Sequence, residues 1–254
     1  MLFRSLTARV IVNRVWQVHF GTGLVATADN FGASGERPSH PELLDHLAEW
    51  FMTHGWSIKA LQKYLMTSAT WQRSSARQAA GVERDPENRL LWRVSPKRLD
   101  FEALRDGLLR VTGRLDVRTG GRSAPLDDDN LRRAVYGYTD RFRIPTLLRN
   151  FDMANPDQSI ARRAATTHPL QALFFLNSPF VRAQAEHLNR QPEIAEQPDP
   201  RLRLDLLYRR ILARRPEADE LDLGLRFLGT EPDPEKWTQC AQALLLSNEF
   251  FFCD

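Results

Sequence analysis

Apolar residues recur three and four places apart in one segment of this chain after another, and that periodicity is what most narrows the fold. In "SHPELLDHLAEWF", Leu43, Leu44, Leu47, Trp50 and Phe51 share one helical face. Val12, Val15, Trp16 and His19 form a stripe on a helix from about Leu6 to Phe20. A third helix, "IKALQKYLMTSATWQ", continues to about Arg73, and a fourth carries Phe101, Leu104, Leu108, Leu109 and Val111. "PLQALFFLNSPFVRAQAEHLN" is helical in pattern and interrupted by Pro179. From about Arg201 the chain reads as three more helices. The first carries Leu204, Leu207, Tyr208, Ile211 and Leu212, and the last includes Trp237, Ala241, Leu244 and Leu245.

Start and stop signals flank these stripes. Ser39 and Glu42 have capping-box spacing with Pro41 in the first turn, and Ser57 stands before the third helix. "THPLQA" uses the same device as "SHPELL", which makes His40 and His168 helix-start residues, with Thr167 or His168 as the cap. Gly21, Gly23, Gly55 and Gly113 stand where helices stop.

Irregular segments lie between. "TADNFGASGERP" and "SSARQAAGVERDPENR" read as loops, and "GGRSAPLDDDN" as the best candidate for a mobile one. "RRAVYGYTDRF" is a short strand, a small hairpin or an extended packed segment, and "IPTLLRNF" gives one or two helical turns. The expected fold is therefore mainly α: a multi-helix globular domain with long irregular loops and at most one short strand or hairpin, plus a C-terminal three-helix segment. The polar stretch "RQPEIAEQPDP", with three prolines, puts the expected division between a main helical domain at 1–190 and a C-terminal segment at 200–254 packed on it.

Of 254 residues, 42% are hydrophobic and 26% charged, so a packed core is expected rather than disorder. No run reaches the roughly 20 apolar residues that span a bilayer. The first twenty residues are broken by Arg9, Asn13 and Arg14 and do not read as a signal peptide. Net charge is +3, and only Lys59, Lys63, Lys97 and Lys236 among the 35 basic side chains are lysine. The excess of arginine reads either as genomic composition bias or as an anion-binding surface, since the planar guanidinium fork suits phosphate, sulfate and carboxylate.

The motif search is negative for much of enzyme chemistry. There is no GxSxG, HExxH, GxGxxG or GxxxxGK[ST] pattern. The six histidines contain no HxH or HxxxH pair, and Cys240 and Cys253 form no CxxC or CxxCH. Cys240 reads as a core thiol, and no cofactor or metal is expected.

Two stretches hold the candidate ligand-binding residues. In "NRVWQVHFG", Asn13, Arg14, Gln17 and His19 could line a polar groove beside Trp16, as in a sugar-binding cleft; the alternative is a core Trp whose N–H needs a partner. In "DMANPDQSIARRAATTHP", Asp152, Asn155, Asp157, Arg162, Arg163, Thr167 and His168 crowd together. Three readings compete there. One is a calcium loop, which lacks Gly at its sixth position and Glu at its twelfth. Another is an Asp152/Asp157 acid–base pair. The favoured one is an Arg–Asp network that pins an irregular loop.

Long motifs then point to one family. "TARVIVNRVWQVHFGTGLVATADNFGASGERPSHPELLDHLAEWF", "GWSIKALQKYLMTSATWQRSS", "NRLLWRVSPKRLDFEALRDGLL", "RRAVYGYTDR" and "FDMANPDQSIARRAATTHPLQALFFLNSPFV" occur in order, and the chain resembles the domain of unknown function fifteen-fifty-three. The resemblance runs from about Leu6 to Phe252. That domain is the C-terminal part of large planctomycete-type exported proteins, where it follows another uncharacterised domain and often a c-type cytochrome domain. The resemblance implies an extracytoplasmic setting and partners among the neighbouring domains of that architecture. It supplies no activity, and Asn13, Arg14, Trp16, His40, Asp152, Asp157, Arg162 and Thr167 match its pattern without known roles. The chain begins almost at the first motif and reads as a truncated or separately encoded copy.

Three functions follow as expectations. The first is a non-catalytic interaction or structural module, with an exposed apolar patch on the first helix. The second is a glycan-binding or glycan-processing protein, with one cleft joining the two candidate stretches. The third is nucleic-acid binding through the arginine-rich run from Arg132 to Arg163, disfavoured by Asp127, Asp128 and Asp129 beside it.

Overall fold

The computed structural model describes residues 2–166 and 168–253, with side chains from residue 6 onward. Thr167 lies outside the described residues. In chain order the helices are α1 (Leu2–Phe20), α2 (Pro41–Thr53), α3 (Ile58–Met66), α4 (Ala79–Arg84), α5 (Phe101–Val111), α6 (Thr146–Asn150), α7 (Pro169–Asn177), α8 (Pro179–Asn189), α9 (Pro192–Ala195), α10 (Pro200–Leu212), α11 (Ala218–Leu228), α12 (Pro234–Leu245) and α13 (Asn248–Phe251). Two-residue strands β1 (Lys97–Arg98) and β2 (Phe252–Cys253) pair with each other, and the fold is mainly α.

The chain forms two compact units. The first holds the residues up to Lys97 together with Gln158–Arg163, and the second holds Arg98–Asp157 and Ala164–Cys253. In the first unit, Ala8, Val12 and Trp16 on α1 bury against Leu44, Leu47 and Phe51 on α2 and Leu61 and Leu65 on α3. Each contact comes from the three-four spacing that the sequence displays. Leu24 and Val25, in the loop after α1, complete this core.

In the second unit, α5, α8, α10 and α12 supply fully buried Leu104, Leu108, Val181, Leu188, Leu204, Leu207 and Leu245. Phe101, Phe151, Phe174, Phe175 and Phe251 meet mostly edge to face at its flank, with centroids 4.6–6.1 Å apart.

Several local expectations change. Ser39 does not cap α2: its N–H and hydroxyl both donate to the Leu24 carbonyl, at 2.8 and 3.3 Å, and His40 occupies the cap position. Ser57 does cap α3, accepting from Ala60 N at 3.2 Å. That helix stops at Met66 because the Thr67 hydroxyl bonds Lys63 and Tyr64 carbonyls and the Ser68 hydroxyl bonds Leu65, which leaves only turns beyond. The loop expected around residues 74–89 contains α4. This helix has no buried residue of its own, and the Trp92 ring lies on Gly81 where any side chain would collide.

"RRAVYGYTDRF" is an extended packed segment rather than a strand. Single bridges tie Arg132 to Asp116 and Gly137 to Ala124, and a 3-10 turn at Ala134–Tyr136 separates them. The stretch expected to be mobile is pinned. Arg105, 3% exposed, donates its guanidinium to the Asp127, Asn130 and Arg132 carbonyls and stacks over Phe180. Arg132 reaches back to the Gly120 and Arg122 carbonyls. Backbone acceptors in an irregular segment need donors, and arginine supplies several from one rigid group.

Candidate functional site

The α1 candidates divide by what their side chains hold. Asn13 is fully buried. Its Nδ2 donates to the Val25 carbonyl at 3.0 Å and its Oδ1 accepts from Val25 N at 2.8 Å. The amide thus replaces a neighbouring strand for one residue of the loop. Gly23 is required beside it, because a Cβ there would run into the Asn13 amide and the Val25 carbonyl. Trp16 is 5% exposed and stacks on Phe20 at 4.0 Å. The half-buried His19 ring donates through Nδ1 to the Val15 carbonyl at 2.8 Å and meets Trp71 edge-on. Arg14 is exposed and Gln17 half-buried.

In the second stretch, Asp152 takes a left-handed backbone conformation (φ 59°) directly after α6. Its carboxylate accepts from Thr166 N at 2.9 Å, from the Thr166 hydroxyl at 2.5 Å and from Gln171 Nε2 at 3.5 Å. Burial opposes its charge, but the Thr166 hydrogen bonds, the Arg98 guanidinium and Gln171 outweigh it and hold the carboxyl below its ordinary pKa. Asn155 closes a small turn by accepting from Asp157 N at 3.0 Å, and Asp157 is exposed. Arg162 is exposed and Arg163 half-buried, both in the segment that belongs to the first unit. His168 is exposed and caps α7, its N–H 3.4 Å from Gln171 Oε1. Among the described residues no three His, Cys, Asp or Glu side chains converge as metal ligands.

The sequence did not single out Gln171 or Arg98, yet both are central here. Gln171, 4% exposed, donates to the Asn150 carbonyl at 2.7 Å, and Arg98 donates to the Thr166 carbonyl. A buried Gln at the third position of a helix gives no signal beyond its capping spacing.

Each unit carries one cavity worth describing. In the second unit, a groove of about 410 Å³ lies along α7. Phe175, Leu176, Leu246, Phe251 and Phe252 make it apolar, and Arg98 and His168 contribute its basic groups. Among the described residues no acidic side chain lines it. Beside it α7 exposes Leu170, Leu173 and Leu176, at 58%, 49% and 57%. In the first unit, a cleft of about 380 Å³ lies between the loop after α1 and the loop after α4. Trp16 is the one α1 candidate that lines the cleft, and His168 the one candidate of the second stretch that lines the groove.

Many of the arginines that suggested an anion surface are already engaged. Arg73, Arg98, Arg105, Arg132 and Arg210 donate to backbone carbonyls. Arg133 pairs with Asp106, and Arg182 with Glu186 and Glu235. Arg214 forks onto both Glu220 and Glu249.

A helical, loop-rich domain in which conspicuous polar residues serve the backbone is the class that fold and site define. The family model described as PSD1, protein of unknown function (DUF1553), matches residues 4–228, and the chain belongs to that family. Neither the curated proteins nor the solved structures contain a match.

Proposed function

We propose that this domain is an interaction module of a larger assembly, docking on a partner protein through the outer face of α7. The observation that carries this reading is the composition of that helix. A surface helix ordinarily turns its polar side to water. α7 buries Gln171 and Phe175 inward and presents Leu170, Leu173 and Leu176 outward, one stripe at three-residue spacing. Each leucine a partner covers contributes roughly 1 kcal/mol, since about half of the side chain remains to be buried. The adjoining groove is apolar, and among the described residues Arg98 and His168 are its only charged or titratable lining, so the complementary surface is apolar with an acidic edge.

Among the described side chains, which begin at Leu6, α1 carries no such stripe. Leu6 and Val18, at 47% and 61% exposure, lie more than three turns apart on α1 and form no continuous surface. The conspicuous polar residues favour a module over an enzyme, because Asn13, His19 and Asp152 spend their hydrogen-bonding groups on backbone and hydroxyl partners.

The test is photo-crosslinking in the native cell from a benzoylphenylalanine placed at position 173 or 176. A discrete adduct that is absent from position 64 on α3, and is lost on Leu170→Glu, supports the reading. Equal labelling from all positions, or none from α7, overturns it. Sedimentation velocity on the purified chain identifies a second copy as the partner if the dimer forms and Leu173→Glu dissolves it.

A further inference from the structure

We infer that the cleft of the first unit is a binding site for a neutral saccharide. Trp16 and Leu24 are buried in its depth, with Phe20 and Leu91 partly so, and the buried Asn88 amide lies among them. Its rim carries Glu36 and Arg37 from the loop after α1, and Glu87 and Arg89 from the loop after α4. All four side chains are exposed, and none makes a hydrogen bond or ion pair among the described residues. Four charges left without a partner among the described residues therefore ring one cleft and are available to a ligand.

The two loops do not depend on those charges for their shape. Asn13 clamps Val25, the Thr27 hydroxyl takes Glu36 N at 2.9 Å and gives to the Asn30 carbonyl, and Gly35 sits so close to that carbonyl that no side chain fits. In the opposite loop, Asn88 spans Arg93 with both ends of its amide and reaches the Ser95 hydroxyl at 3.0 Å. The Asp85 carboxylate takes Arg89 N and Leu90 N at 2.9 and 2.7 Å, and Arg73 holds the Leu91 carbonyl. Short polar side chains fix both backbones, so the long charged ones are carried on a rigid frame. Such preorganisation lowers the cost of binding.

The sign pattern selects the ligand. Each loop contributes one carboxylate and one guanidinium, at positions 36 and 37 and at 87 and 89, so an ionic ligand attracted by one charge meets the opposite sign on the same loop. A neutral polyol gains from all four. Vicinal hydroxyls donate to a carboxylate and accept from a guanidinium fork, and the Thr22 hydroxyl adds an adaptable partner. The apolar faces of a pyranose ring suit the apolar side chains of that depth. About 380 Å³ is within the size of small-molecule sites.

The test is titration calorimetry of the full chain with neutral trisaccharides of glucose, mannose, xylose and N-acetylglucosamine, with zwitterionic tripeptides and a sulfated disaccharide as the contrasting probes. Saturable binding of a neutral trisaccharide is expected. Arg37→Ala and Glu87→Ala should each weaken it roughly tenfold, with the melting temperature unchanged, while Arg182→Ala leaves it intact. Failure of all four neutral sugars overturns the inference. So does binding of only the tripeptides or only the sulfated sugar, or neutral-sugar binding that survives both cleft substitutions. The α7 surface lies in the other unit, so neither result bears on the docking proposal.

Discussion

Asn13 and Val25 exchange two hydrogen bonds, side-chain amide to main-chain amide, across twelve residues and out of contact with water. The pair fixes where the loop leaves α1 and so where one wall of the cleft stands. Asn13→Ala orphans a buried N–H and a buried carbonyl together, which should cost roughly 2–4 kcal/mol in urea unfolding. Asn13→Asp should fare no better, because it cannot donate to the Val25 carbonyl.

Arg105 sets the second irregular region in the same way. Arg105→Lys keeps the charge but cannot span the Asp127, Asn130 and Arg132 carbonyls from a single ammonium. Amide hydrogen exchange over residues 120–137 should accelerate at least tenfold in Arg105→Lys, while amides of α2 keep their native rates.

Asp152 makes stability depend on acid. Its pKa lies below the ordinary value of 3.8. A carboxyl depressed by folding stabilises the native state above its unfolded pKa, and that contribution is lost as pH falls through the folded value. Stability should therefore decline from about pH 4 downward. Asp152→Asn should be the less stable protein at pH 7 and should approach the wild type by pH 2, as followed by guanidinium unfolding across that range. His187 acts in the same direction at higher pH. Burial, then Arg114 and Arg190, lower its pKa below the ordinary 6.5, so its contribution is lost as pH falls below that value.

Ala213 ends α10 in the left-handed region at φ 57°, exposed to solvent. A Cβ in that conformation is strained, and glycine relieves the strain at some cost in unfolded-chain entropy. Ala213→Gly should raise stability by roughly 0.5–1 kcal/mol, read as a higher melting temperature.

The long elements were legible because their stripes are long: α1, α2, α5 and α10 each repeat the three-four spacing over at least three turns. What escaped was decided at a distance. α4 exists where Trp92 packs on Gly81, and the extended 132–142 segment exists because Arg105 and Arg132 gather carbonyls from residues 120–132. Local propensity carries no trace of either. The candidate residues divide similarly. An Arg–Asp network was the favoured reading around Asp152, and Asp152 does work as an anchor, with Thr166 and Gln171 among the groups it holds and the Arg98 guanidinium acting on its charge. Glu36, Arg37, Glu87 and Arg89 lie in loops that read only as polar. Nothing short of the folded chain brings them to one cleft.

The two cysteines differ in a way that serves the experimenter. Burial pushes the Cys240 thiol up to about 11, so at neutral pH it is a protonated, shielded and slow nucleophile. Cys253 is exposed, and its neighbour Phe252 lines the α7 groove. A maleimide dye should therefore attach at one known place without any engineered cysteine. The wild-type protein then carries its own fluorescent reporter beside the surface where a partner would sit.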